Sequence, residues 1–133
     1  KVYIGDSSLN IRRENMDINP VYSQGRIINF SNYEKLITGM LKQEMRLEPS
    51  NFSLLLSEDN IHDRAERDKI ASFVFETLQV KNLFFCKSAV LSSFSTGRST
   101  SVVVDCGADM SSVITVHDGF ALSKTIKRAM IGG

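Results

Sequence analysis

The sequence contains no tryptophan, and its 133 residues include only two cysteines, two prolines and two histidines. Each scarcity removes a class of explanation. Cys86 and Cys106 sit in apolar or strand-like segments without metal-ligand spacing, which argues against a zinc site and a disulfide framework; buried free thiols in an intracellular protein are expected instead. His62 and His117 are remote from each other in sequence, and neither belongs to a Ser-His-Asp or Cys-His arrangement, so a structural role is expected for both. Charge of one sign is also missing: sixteen basic against fifteen acidic residues leave a net charge of +1. A nucleic-acid binder would usually show a basic excess, so direct binding gains no support. The longest apolar runs, Leu83-Phe84-Phe85-Cys86 and Val102-Val103-Val104, fall far short of the ~20 residues that cross a bilayer, so no membrane span is expected. The opening Lys1-Val2-Tyr3-Ile4-Gly5-Asp6 lacks the charged head and long apolar core of a signal peptide. What is present is a chain 42% hydrophobic, enough for one core of moderate size.

Residues 1–30 scatter turn formers (Gly5, Asn10, Pro20, Gly25) between short apolar runs, which predicts irregular strands. From Ser31 the period changes. Ser31 with Glu34 reads as a capping box, and Tyr33, Leu36, Ile37, Met40 and Leu41 share one helical face, predicting a helix that ends near Arg46–Pro49. Ser53–Ser57 is a continuous apolar run and predicts a strand buried on both faces. A second helix follows, with Asp63 and Glu66 in its acidic first turn and Ile70, Phe73, Val74 and Leu78 on its buried stripe. Asn82–Cys86 is again strand-like, so strand, helix and strand form a parallel crossover unit and the class is α/β. Lys87–Phe94 predicts a short, largely buried helix stopped at Gly97. Ser101–Asp105 and Val113–His117 flank a turn, and Asp118-Gly119 is a hairpin signal, so an antiparallel meander completes the pattern.

Most of the chemistry lies in Val102–Asp109, an apolar strand that empties into Asp105, Cys106, Gly107 and Ala108. A carboxylate at a strand end can hold Mg²⁺ through water, and main-chain amides around a glycine can receive phosphate oxygens. An ordinary hairpin turn has the same local sequence, and both readings stay open at this level.

Longer matches break the tie. Ala89-Val90-Leu91-Ser92, Gly97-Arg98-Ser99-Thr100, Asp105-x-Gly107 and Asp118-Gly119-Phe120-Ala121-Leu122 resemble successive motifs of the actin family in the family's order. Val2–Asp6, Tyr33-Glu34-Lys35 and Phe75-Glu76-Thr77 resemble it upstream. Arg13–Met16, Cys86–Leu91 and Val116–Gly119 resemble the nuclear branch of that family, the actin-like subunits of chromatin-remodelling and histone acetyltransferase complexes. The resemblance implies a partial actin-type (ribonuclease H-like) fold. Residues 1–19 would end a small outer subdomain, 20–94 would form most of its neighbour, and 95–133 would begin the opposite lobe.

The resemblance also implies a site. Asp105 matches the carboxylate near the nucleotide's Mg²⁺, with Cys106, Gly107 and Ala108 completing a second phosphate loop for ATP. Ser88 falls where actin has its water-positioning glutamine, and Ser112 replaces a nearby histidine, so little hydrolysis is expected. Arg128 matches an arginine of actin's phosphate-release gate, while His62 stands in for its asparagine partner. The family's first phosphate hairpin and its adenosine-gripping segments match nothing here, so this stretch is expected to hold half a site and to bind no ATP by itself. Phe94, Ser95, Gly97 and Ser99 match one wall of the family's partner groove, and Gly119 with Phe120 part of the other. Both rings also read locally as plain core residues. The partners implied are actin, a helical scaffold segment of a remodelling ATPase and other complex subunits, in the nucleus. A filament-forming ATPase and a cytoplasmic actin-related protein remain the alternatives.

Overall fold

The computed structural model describes residues 3–4, 10–61 and 63–132; His62 and the Val2–Asp6 motif, apart from Tyr3 and Ile4, lie outside them. A hairpin comes first, pairing β1 (Tyr22–Ser23) with β2 (Arg26–Ile27). Its two-residue turn holds Gln24 at φ +51° and Gly25 at φ +75°, the left-handed pair that suits a tight hairpin.

Helix α1 (Phe30–Gly39) starts one residue before Ser31, and its cap is not the expected box. Asn29, in extended conformation, accepts the Asn32 N–H on Oδ1 at 3.0 Å. Asn satisfies an orphan donor as well as Ser does, and it sits at the position where the backbone leaves helical geometry. The helix runs into a π-helical turn, Met40–Glu44, and ends at Arg46 with φ +54°.

Strand β3 (Ser53–Glu58) leads through α2 (Arg64–Ser72) to β4 (Asn82–Lys87), and β3 and β4 pair in parallel, Leu54 with Leu83 and Leu56 with Phe85. This is the predicted crossover. Asp63 caps α2 by accepting the Ala65 N–H at 3.0 Å, and a π-helical turn, Phe73–Thr77, closes it at Gln79 with φ +55°. The expected stripe is the core itself: Phe73, Val74 and Leu78 are buried with Tyr33 and Val80. Tyr33 meets Phe30 at 5.6 Å and Phe73 at 6.1 Å between ring centres, in tilted and edge-on packing. Burial on both faces of β3 is corrected, because its residues alternate: Leu54 and Leu56 face the core, whereas Leu55 is 52% exposed beside Phe84 at 63%.

Helix α3 (Ser88–Ser95) follows β4 directly and ends at Gly97, whose φ is +72°. A second sheet then forms from β5 (Ser101–Cys106), β6 (Ser111–His117), β7 (Phe120–Ala121) and β8 (Lys127–Ala129). All pairings are antiparallel, with both β7 and β8 alongside β6, which is the predicted meander with one further strand. Ile114 and Val116 point from β6 onto Ala89 and Val90 of α3, making a second core. The other face of β5 leaves Val102 and Val104 about two-thirds exposed, at 65% and 64%. The thiols of Cys86 and Cys106 are free, but Cys86 is half-buried and Cys106 exposed, because Cys106 falls at a strand end rather than within the core. No helix among the described residues is long and apolar enough to cross a membrane.

Candidate functional site

The turn between β5 and β6 carries the proposed phosphate residues at the surface. Asp105, in register with Ser112, and Cys106, in register with Ser111, close the strand pair; Gly107, Ala108 and Asp109 project beyond it, all exposed. An exposed carboxylate at a strand end has the chemistry required for a water-mediated divalent ion. The Gly107 N–H donates to the Met110 carbonyl at 3.0 Å and closes the turn, so in this structure that amide is engaged internally. Phosphate oxygens would have to meet the neighbouring amides. Ser88 is the first residue of α3 and half-buried, and Ser112 is buried on β6 opposite Asp105.

The turn is held on one side, and flanked on the other, by residues that sequence reading did not connect. Gln24 N–H donates to Asp109 Oδ2 at 3.1 Å, and Met110 lies against Gly25 at the tip of the first hairpin. Arg128 on β8 pairs with Asp59 at 2.5 Å, and its expected partner His62 lies outside the described residues. Asp59 opens the loop after β3, and its carbonyl also accepts from Lys87 Nζ at 3.1 Å. A lone Asp after a strand gives no signal of its own; the only hint was the arginine expected at position 128.

The six residues expected at a partner groove do come together. Gly119 N–H donates to the Ser99 carbonyl at 2.8 Å, tying the loop after α3 to the β6–β7 turn. Thr100 reinforces the tie by accepting the Asp118 N–H at 3.1 Å. Asp118 (φ +47°) and Gly119 (φ +80°) form that turn, and the ring of Phe94 rests over Gly119 so closely that a Cβ there would lie 2.9 Å from Cζ. Phe94 is 52% exposed and Phe120 75% exposed, so neither is a core residue. Ser95 and Gly97 stand beside Phe94 at the end of α3, with Ser95 Oγ donating to the Ser92 carbonyl. Beneath them Ser93 is buried and was overlooked in the sequence. Its Oγ donates to the Arg98 carbonyl and accepts from Ser101 Oγ, both at 2.8 Å, which pins the loop leaving α3.

A small cavity of about 90 Å³ lies between the first hairpin, α2 and β4, lined in part by Tyr22, Ile27, Tyr33, Glu66, Ile70 and Phe85. Burial, and then the Tyr22 hydroxyl and the Glu66 carboxylate nearby, push the Tyr33 hydroxyl's pKa well above the usual tyrosine value. Tyr22 is raised in the same direction by burial and by Glu66. Glu66 Oε1 is engaged by the Ile27 N–H at 3.3 Å, so the cavity wall is a packed joint between hairpin and helix.

The family model described as Actin matches residues 1–133. Actin-related protein 4 of Arabidopsis thaliana is 32% identical over the entire chain, and that of Oryza sativa subsp. indica 33%. Actin-related protein 4 of Mycosarcoma maydis is 34% identical over 98% of the chain. The chain spans only 30% of the first two relatives' length and 24% of the third's. The mixed α/β architecture is consistent with that likeness: the chain belongs to the actin family and is similar along its length to actin-related protein 4.

Proposed function

We propose that this chain is part of a nuclear actin-related protein that acts as a structural and interaction subunit of chromatin-remodelling complexes, holding ATP with Mg²⁺ but hydrolysing it little. The observation that carries the interaction reading is the ledge made by Phe94 and Phe120, two exposed rings on a support fastened by the Ser99–Gly119 hydrogen bond. Exposed aromatics on a rigid base suit a helix that lays an apolar face across them, and such anchors often dominate binding. The occupant is a scaffold helix of a remodelling ATPase, with actin and other subunits alongside. In the full-length protein, Phe94→Ala and Phe120→Ala should each weaken binding to that helix by roughly thirtyfold, equivalent to about 2 kcal/mol, with the thermal midpoint nearly unchanged. Unchanged affinity in both variants would refute the ledge.

The nucleotide part of the reading rests on the surface position of Asp105–Asp109. Asp105 would hold Mg²⁺ through water, and the ion would supply charge neutralisation at the phosphates. The amides of Ala108 and Asp109, with Cys106 beside them, would receive phosphate oxygens. Ser88 is too short to orient a water as a glutamine does, which favours retention of ATP over turnover. A filament-forming ATPase is the competing reading. Pelleting of the full-length protein in polymerising salt, with filaments seen by electron microscopy, would favour it.

A further inference from the structure

The second sheet meets the rest of the chain at two joints of opposite character. At α3 the joint is apolar: Ala89 and Val90 are packed on Ile114 and Val116, with Val103, Ala121 and Ile126 around them. At the far end, beside the Asp105–Met110 turn, it is polar and half-open to water: the Asp59 and Arg128 side chains are each 24% exposed. Asp59 is itself firmly set. Its Oδ1 accepts the Asn60 N–H, its carbonyl accepts from Lys87 Nζ, and its Oδ2 lies 2.9 Å from where a Cβ on Gly25 would stand. From Arg128 the path to the turn is short, because Arg128 pairs in register with Ser112 and Ser112 with Asp105. On the turn's other side, Asp109 takes the Gln24 N–H and Met110 covers Gly25.

We propose that Asp59 is a positioning residue for the Asp105–Met110 turn: its ion pair with Arg128 clasps the second sheet to the crossover unit and fixes the turn against the first hairpin, so that the turn's fitness to receive a phosphate-bearing ligand depends on a residue that never touches the ligand. The clasp is a bond between charges, whereas the α3 joint is a hydrophobic contact, so salt and charge removal act on the first and spare the second. The ligand consequence rests on the nucleotide reading above; the clasp does not.

Amide hydrogen exchange by mass spectrometry on the full-length protein tests both, comparing the parent with Asp59→Asn, Arg128→Ala and the double variant. Asp59→Asn keeps an acceptor for Asn60 and removes only the charge. Residues 22–27 and 106–111 should exchange at least about tenfold faster in each single variant, with little further gain in the double, while the amides of Ile114 and Val116 keep the parent rate. Raising salt should accelerate exchange at 106–111 in the parent and leave Asp59→Asn unaffected. Parent-like exchange at 106–111 in Asp59→Asn, effects that add in the double variant, or equal salt sensitivity in both proteins would overturn the clasp. Mg·ATP titrations separate the two ideas. If the parent binds and Asp59→Asn binds at least about fivefold more weakly at unchanged thermal midpoint, the positioning role stands; equal affinity in the two defeats it. A parent that does not bind Mg·ATP refutes the nucleotide reading and the ligand consequence together, and leaves the clasp to the exchange result.

Discussion

The ring of Phe94 fills the space that a side chain on residue 119 would need: a Cβ there would stand 2.9 Å from the phenyl Cζ. Gly119 also has φ +80°, which L side chains adopt reluctantly. Gly119→Ala should therefore push the ring away and strain the turn, costing about 1–2 kcal/mol of stability and weakening helix binding even though Phe94 itself is untouched. Chemical denaturation and a binding titration on the same variant measure both. Normal affinity with a displaced ring would show that Phe94 is not an anchor.

Ser93→Ala tests the support under that ledge. Removing Oγ leaves the Arg98 carbonyl and the Ser101 hydroxyl without the partner that each has at 2.8 Å. The expected loss is about 1–3 kcal/mol, larger than for a surface serine, because the site is buried. Denaturant midpoints of Ser93→Ala and of the exposed Ser92→Ala give the comparison.

In the first core, Leu78 is 2% exposed at the end of the α2 stripe. Leu78→Ala should destabilise by about 2–5 kcal/mol, the cost of lost transfer energy plus the cavity left behind. A loss below about 1 kcal/mol would mean that the helix end collapses to fill the gap.

The tyrosine joint predicts a response to alkali. Tyr33 is held neutral above its unfolded value of 10.0, so above about pH 10 the unfolded chain releases a proton that the folded one retains. Stability from this group is fully present below pH 10 and falls as pH rises towards the folded value, by at most about 1.4 kcal/mol per pH unit. Tyr33→Phe should flatten the slope measured by urea denaturation between pH 9.5 and about 11.5; an unaltered slope would assign it to other groups.

Single-turnover hydrolysis of Mg·ATP by the full-length protein should be much slower than by actin, and Ser88→Gln should raise it. An actin-like rate in the parent would overturn the reading of Ser88.

Sequence reading found the crossover and the meander because their signals are local. Asp118-Gly119 must take two left-handed residues in succession, and the α2 stripe repeats with the helical period. It misjudged Leu55 and Phe84, since a continuous apolar run says nothing about whether another layer covers one face. The Asp59–Arg128 pair was beyond it for a different reason. Those residues are 69 positions apart, and nothing short of the folded sheet order brings them together. The hydrogen bond from the Gly107 amide was not legible either, because a turn's internal bond and a ligand's draw on the same donor and the sequence does not say which has it.

The uncovered strands have a practical consequence at the bench. Leu55 and Phe84 lie side by side on one sheet and Val102 and Val104 on another, all more than half exposed. Wet apolar rows of this kind are adhesive surfaces, and copies of the isolated 133-residue chain should stick to each other through them. Purified alone at high concentration, the chain is expected to form soluble aggregates whose size rises with concentration. Replacing Phe84 and Val102 with lysine should disperse them.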